Sequence, residues 1–280
     1  NCDLSFSNLC SWRFLYDTQY AVIDNFLVFK FWAGEQLAYM MPVGSGDLKA
    51  ILRELIEDAD KEKHNFCMLG VCSNMRADLE AILPGQFTFT ENRDYADYIY
   101  LRSDLATLKG KKFQAKRNHI NRFRNTYPDY EYTPITPDRI QECLDLEAEW
   151  CKVNNCDQQE GTGNERRALI YALHNFEALG LTGGILHVNG KIVAFTFGMP
   201  INHETFGVHV EKADTNIDGA YAMINNEFAN HIPEQYIYIN REEDLGLEGL
   251  RKAKLSYQPV TILEKYMACL KDHPMDIIRW

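Results

Sequence analysis

One pattern constrains this chain more than any other: three strand-type segments in a row, then helix and strand in alternation, written twice. In the first half, Tyr20–Ile23, Phe26–Trp32 and Leu37–Met41 are apolar and aromatic. Asp24-Asn25 and Ala33-Gly34-Glu35-Gln36 separate them and read as turns. A helix is predicted over Leu48–Glu62, with Asp47 as N-cap and Leu48, Ile51, Leu52, Leu55, Ile56 and Ala59 as its apolar stripe. A strand (Phe66–Val71), a short helix (Met75–Leu83) and strands near Phe87–Thr90 and Tyr98–Leu101 complete a β-β-β-α-β-α-β order.

A polar helix follows over Leu105–Thr126, stopped by Pro128. The second half begins with a strand near Tyr130–Pro134. A helix over Pro137–Val153 has Thr136 as N-cap and Pro137 at its first position. The next, Glu165–Leu179, ends at Gly180, a C′ glycine. A meander of Ile185–Val188, Ile192–Met199 and Thr205–Lys212 turns first through Asn189-Gly190, a strong type I′ hairpin signal. Helix Gly219–His231, strand Tyr236–Asn240, helix Leu245–Tyr257 and strand Val260–Met267 close the chain. The second half repeats the first half's order behind a β-α-α preface. The repeat is one of topology, not of residues. It predicts an α/β protein with mixed sheets flanked by helices: an N-terminal half over 1–104, a basic connecting helix over 105–128 and a complete domain over 129–280.

A chain of 280 residues with 46% apolar and 25% charged residues has material for two folded cores. Its net charge of −11 makes it a poor general binder of nucleic acid, because cation–phosphate contacts drive that binding. The charge is uneven, however. Lys109, Lys111, Lys112, Lys116, Arg117, Arg122 and Arg124 lie together with no acid between them, which suits a local anionic ligand. The eight cysteines are scattered through a chain too long to need staples. Cys67/Cys72 and Cys151/Cys156 have C-x4-C spacing without zinc-like partners, so the cysteines read as reduced structural thiols and no metal site is expected. No run of 18 apolar residues occurs and no signal peptide is visible. The expectation is a cytoplasmic protein without an integral membrane segment.

Two helices place cations on core-facing stripes. At 100° per residue, Phe113, Ile120, Phe123 and Tyr127 share a face, with Lys116 at its centre and Arg117 and Arg124 at its edge. On the later helix Leu247, Leu250 and Tyr257 share a face, with Lys254 inside it and Arg251 on its edge. Burying an unpaired charge is costly. Either these helices, one from each half, line a cleft where the cations meet phosphate or carboxylate, or the stems cover the core while the charges reach water and neighbouring acids. Asp244 is placed to cap the later helix. Asn240 and Arg241 end a strand, where open α/β sheets bind ligands. His187, His203 and His209 match no metal spacing and read as residues on or beside the meander.

Three segments extend this reading: "LKGKKFQAKRNHINRF" (Leu108–Phe123), "FGVHVEKAD" (Phe206–Asp214) and "NREEDLGLEGLRKAKLSYQP" (Asn240–Pro259). With the element order, they resemble the bacterial family related to the C-terminal domain of phosphatidylglycerol lysyltransferase. Like the Fem-type peptidyltransferases, those proteins carry tandem GNAT halves and move aminoacyl groups from aminoacyl-tRNA. The resemblance spans Trp12 to Tyr266. It implies an amine or hydroxyl acceptor, an anionic donor (aminoacyl-tRNA or acyl-coenzyme A), and catalysis by positioning with a base to take the proton. Glu211 is the candidate base, or else the salt-bridge partner of neighbouring Lys212 or a nearby arginine, and Tyr257 is the candidate acid for the leaving group. Lys116, Arg117, Arg124, Asn240, Arg241, Arg251 and Lys254 are the candidate donor-binding residues. A coenzyme A enzyme would hold pyrophosphate on a Gly-rich turn. The matching turn "DTNIDGAY" (Asp214–Tyr221) has one glycine and two acids, and Asp218 is placed to cap the following helix; "PVGSGD" (Pro42–Asp47) in the first half also ends on an acid. Three readings follow: an aminoacyl- or acyltransferase, a non-catalytic module for an anionic ligand, and a coenzyme A-dependent N-acetyltransferase.

Overall fold

The structure, a computed structural model, describes residues 1–155 and 160–271. Two short helices, α1 (Phe6–Ser11) and α2 (Arg13–Tyr16), precede the expected meander of β1 (Gln19–Ile23), β2 (Phe26–Ala33) and β3 (Gln36–Tyr39), and a two-residue β4 (Val43–Gly44) pairs with β2. Asp24 and Asn25 take positive φ in the first turn, a conformation short polar side chains tolerate. The Asp47 carboxylate accepts the Ala50 amide at 3.1 Å and opens α3 (Leu48–Lys61). Its stripe of Ile51, Leu52, Leu55, Ile56 and Ala59 is buried. Next come β5 (Cys67–Val71), α4 (Ser73–Ile82) and β6 (Phe87–Glu91).

The remaining elements are β7 (Asp97–Leu101), α5 (Arg102–Thr107), α6 (Gln114–Thr126), β8 (Glu131–Pro134), α7 (Ile140–Asn154), α8 (Glu160–His174), β9 (Thr182–Val188), β10 (Lys191–Pro200), β11 (Thr205–Ala213), α9 (Ala220–His231), β12 (Tyr238–Asn240), α10 (Glu248–Leu255), β13 (Thr261–Leu263) and β14 (Tyr266–Leu270). The basic segment is not one helix. Leu108 (φ 48°) ends α5 and Gly110 (φ 94°) turns the chain before α6 begins. The left-handed backbone at these two residues interrupts the helical hydrogen bonds, which periodicity alone did not predict.

The chain packs as two compact units. Of the described residues, the first takes Asn1, Trp12–Ala96 and 263–271; the second takes Cys2–Ser11 and those of Asp97–Ile262. The strands follow this division and not the sequence halves. The first sheet runs β1-β2-β3-β5-β14-β6, and the second β13-β7-β12-β11-β10-β9-β8. So β7, the expected last strand of the first half, pairs in the second sheet. The expected final strand Val260–Met267 is instead two strands, one in each sheet. The basic α6 belongs to the second unit, not to a connector.

This exchange explains a second correction. β14 pairs with β5 in a register that sets Cys269 opposite Cys67, and the two form a disulfide. Cys151 is disulfide-bonded as well, and Cys143 is a free thiol. Cys156 lies outside the described residues. The expectation of reduced thiols throughout therefore fails at Cys67, Cys269 and Cys151.

In the first unit Phe26, Leu37, Tyr39, Leu52, Met68 and Ala268 form one core. In the second, Phe113, Ile120 and Phe123 pack against Leu186, Ala213 and Met223. Each fully buried large side chain contributes about 1.5–3 kcal/mol. That burial anchors α6 against α9 and the sheet, and so places Lys116.

Candidate functional site

The site grows from an opening in the second sheet. β11 and β12 run parallel but pair over only three residues, from Thr205 opposite Tyr238 to Gly207 opposite Asn240. β11 continues to Ala213, while β12 ends at Asn240. Such carboxyl ends of parallel strands are where open sheets take ligands. Beyond Asn240, side chains span the gap. Arg241 donates through Nη2 to Glu211 Oε1 at 3.0 Å, and Glu242 Oε1 lies 2.7 Å from His209 Nδ1. Asn240 shapes this turn. Fully buried, it donates to Asp97 Oδ2 at 2.8 Å and accepts the Glu242 amide at 2.8 Å, while Glu242 takes φ 60°.

Four predicted site residues meet at the opening. The Arg241 guanidinium lies 4.9 Å from the centre of the Tyr257 ring and 5.7 Å from that of Tyr100. Lys116 Nζ sits 3.9 Å from the centre of the Tyr257 ring, a cation–π contact. Glu211 completes the group. Its Oε1 holds Arg241, and its Oε2 accepts Asn225 Nδ2 at 3.1 Å. The electrostatics are coupled. Burial lowers the Lys116 pKa, the Arg241 charge lowers it further, and Glu211 opposes both. Burial works against the Arg241 charge, but Glu211 outweighs it with help from Tyr100 and Tyr257, so the guanidinium pKa rises. Burial pushes the Tyr257 and Tyr100 phenols up, against the pull of Arg241, so both keep their protons at neutral pH. The arrangement is a half-buried ammonium and a guanidinium over aromatic rings. It can hold an anionic group or polarise a carbonyl.

The other predicted residues are placed elsewhere. Arg117 donates to the carbonyls of Leu108 and Gly110, tying down the break before α6. Arg124 lies 3.8 Å from Glu227, half exposed. Arg251 grips Asp244 with two parallel bonds, each 2.8 Å. Asp244 is fully buried; Arg251 chiefly holds its pKa well below the usual carboxylate range, and Tyr98 and the Gly246 amide add to this against the opposing burial. Asp244 therefore braces the turn before α10 and does not cap the helix, whose N-cap is Leu247. Lys254 is the buried residue of α10 and donates to the carbonyls of Arg241 and Glu243. The apolar face expected on α10 is absent: Leu247 is 59% and Leu250 39% exposed. α6 and α10 also both lie in the second unit, not one in each half.

The turn before α9 is closed by its own residues and by α6. Asp214 accepts the Asn216 amide at 2.9 Å. Asp218 pairs with Arg122 at 2.7 Å instead of capping the helix. Gly219 (φ 83°) is the N-cap, and a Cβ there would come 2.9 Å from the His119 carbonyl oxygen, so α6 packs directly against it.

Several contacts of this region escaped the sequence reading. Lys212, expected beside Glu211, turns to Glu165 at 2.8 Å and sits 3.5 Å from the centre of the Trp150 ring. Trp150 donates to the Tyr221 hydroxyl at 3.1 Å. Glu147 is buried below, and that burial raises its pKa. His187 pairs with Glu142 at 2.7 Å. Cys2, Asp97 and Glu243 bring ligand-type atoms within 4.8 Å of one another, although no metal group was expected. Asp97 Oδ2 there already accepts Cys2 N and Asn240 Nδ2, each at 2.8 Å. Short polar residues far apart in sequence carry no spacing signal; only the sheet register assembles them.

This order of strands and helices defines a tandem GNAT-like α/β protein. The chain belongs to the family of the phosphatidylglycerol lysyltransferase C-terminal domain, which matches residues 1–269. A crystal structure of a conserved protein of unknown function from Bacteroides thetaiotaomicron is 95% identical, with a TM-score of 0.94 over 97% of this chain and 92% of that one. L-PGS from Bacillus licheniformis has a TM-score of 0.66 at 18% identity, over 96% of this chain and 89% of that one. FemX has a TM-score of 0.61 at 8% identity, over 92% and 89%. These last two likenesses are of fold. An uncharacterized protein of Mycoplasmoides gallisepticum is 26% identical over 175 residues, 61% of this chain; the chain spans about half of that curated relative's length (55%). Among the described residues no helix is long and apolar enough to cross a membrane.

Proposed function

We propose that this protein is an aminoacyltransferase that takes its acyl group from an aminoacyl-tRNA ester and passes it to an amine or hydroxyl. The observation that carries this reading is the convergence of Arg241, Glu211, Lys116 and Tyr257 at the open end of the β11–β12 pair. Membership of a transferase family supports the reaction class. In this reading Lys116 and Arg241 polarise the ester carbonyl and stabilise the oxyanion that forms on it. Glu211 holds Arg241 in place, and Tyr257, still protonated, gives a proton to the leaving oxygen. Arg117, Arg251 and Lys254 support this frame through their bonds to Leu108, Asp244 and Arg241. The exposed cations of α6 and the turn before it meet tRNA phosphates, which makes binding fall with salt.

The closed turn before α9 favours an ester of tRNA over coenzyme A as donor, because α6 and the Arg122–Asp218 pair stand where pyrophosphate would bind. The test is a two-donor assay on the full chain. Bulk tRNA charged with 14C-labelled amino acids should lose label to acceptor, with anionic-lipid vesicles and amine-ended peptides offered together. Acetyl-coenzyme A should be neither bound nor consumed. Turnover with coenzyme A alone would replace this reading with an N-acetyltransferase, and saturable binding of either donor without turnover would leave a binding module.

A further inference from the structure

The proposed transfer needs a group to take the proton of the incoming nucleophile. Glu211 is poorly placed for it, because Arg241 occupies one of its oxygens and Asn225 the other. A second base stands on the same strand. The pairing of β10 with β11 slips between Phe197 opposite Val210 and Gly198 opposite Val208. His209 is therefore the extra residue of a β-bulge, and bulges re-aim side chains beside functional sites. The bulge lies just past Gly207, where β11 and β12 part.

The His209 side chain is 4% exposed. Nδ1 lies 2.7 Å from Glu242 Oε1, which also accepts Asn8 Nδ2 at 2.7 Å. Nε2 is buried and has no hydrogen-bond partner among the described residues. A carboxylate facing Nδ1 fixes the proton on that nitrogen and leaves the lone pair on Nε2. A Cβ at Gly207 would press on the Ile201 side chain at 2.9 Å and reach the His209 ring only at ordinary contact distance, 3.5 Å from Cε1. Glu242 is held for this task by the Asn240 side chain, which accepts its amide at 2.8 Å.

We infer that His209, oriented by Glu242, is the general base of the transfer and that its Nε2 faces the incoming nucleophile. The inference rests on the proposed aminoacyl transfer. The acceptor's N–H or O–H bond breaks as its heteroatom bonds to the acyl carbon, and the proton passes to Nε2. The acyl C–O bond to the tRNA ribose then breaks, and its oxygen leaves with a proton passed on from the imidazolium through Tyr257. Atoms and charge balance without oxidant or reductant.

The test uses the full chain with the same 14C-charged bulk tRNA and acceptor mixture. His209→Gln should cut turnover on the order of 10²–10⁴-fold, the range of a general base. Glu242→Gln is the sharper variant. It keeps an oxygen to accept Nδ1–H and Asn8 Nδ2 but removes the negative charge that steadies the imidazolium formed as the proton is taken. A similar loss of turnover with an unchanged melting temperature and unchanged tRNA retention on filters is expected. A merely structural Glu242 would instead show a lowered melting temperature, with turnover falling only as far as the folded fraction does. Added imidazole should restore part of the activity of His209→Gly. Wild-type turnover in either glutamine variant overturns the assignment while leaving the transferase reading intact. No turnover of charged tRNA by the unaltered protein overturns the transferase reading, and this inference falls with it.

Discussion

Arg251→Met separates two roles for a cation that the sequence places on a core-facing stripe. If Arg251 binds donor phosphates, the variant folds normally and loses activity. The structure instead ties both of its nitrogens to Asp244 at 2.8 Å, with Asp244 fully buried and the Arg251 side chain 33% exposed. Removing one partner of a fully buried pair costs about 3–5 kcal/mol. Water reaches the arginine end here, and Tyr98 and the Gly246 amide still donate to the orphaned carboxylate, so about 2–3 kcal/mol is expected. For a unit of this size that lowers Tm by roughly 4–12 °C. The pH dependence has a definite sign. The folded Asp244 pKa lies below its unfolded value, so the stabilisation is complete above the unfolded value of about 3.9 and is lost as pH falls through the folded one. The gap between wild type and variant in calorimetric Tm should therefore be full at neutral pH and shrink below about pH 4. Asp244→Asn in the same chain should recover part of the loss, because no buried charge remains. A variant melting within about 1 °C of wild type at neutral pH, well inside the scale above, or a gap that widens in acid, refutes the argument.

Gly219→Ala adds a methyl 2.9 Å from the His119 carbonyl oxygen at a backbone φ of 83°, and should cost about 1–3 kcal/mol by urea midpoint. Glu211→Gln removes the one influence that raises the Lys116 pKa, so that pKa should fall further in an NMR titration of 13C-dimethylated lysines. Cys269→Ser breaks the bond to Cys67 and should cost about 2–5 kcal/mol, and the gap in Tm should close when wild type and variant are both melted in reductant.

Much of the fold was legible because its signals are local. Asp47 capping α3, the stripe of Ile51, Leu52, Leu55, Ile56 and Ala59, and the Asn189-Gly190 turn between β9 and β10 all follow from neighbours a few residues apart. The exchange of β7 and β14 was not legible, because a strand's pattern says which face is apolar and not which sheet it joins. That one exchange also hid the Cys67–Cys269 bond.

The site divides along the same line. Helical periodicity marked Lys116 as a cation facing the core, and it does lie over the Tyr257 ring. Periodicity could not say what each cation would meet. Arg251 found a carboxylate, Lys254 and Arg117 found carbonyls, and Arg241 found Glu211. A buried cation costs energy unless it is paired, so most cations that sequence marks as inward are ones the fold has already satisfied. The informative groups are those left incomplete when the pairing is done. Here these include Arg241 Nη1, Asn225 Oδ1 and His209 Nε2, all buried without a hydrogen-bond partner among the described residues and all on or packed against the segments that part beyond Gly207 and Asn240. Buried polar groups in folded proteins are almost always bonded. Three such atoms around one opening are what a donor carbonyl and an incoming nucleophile would complete.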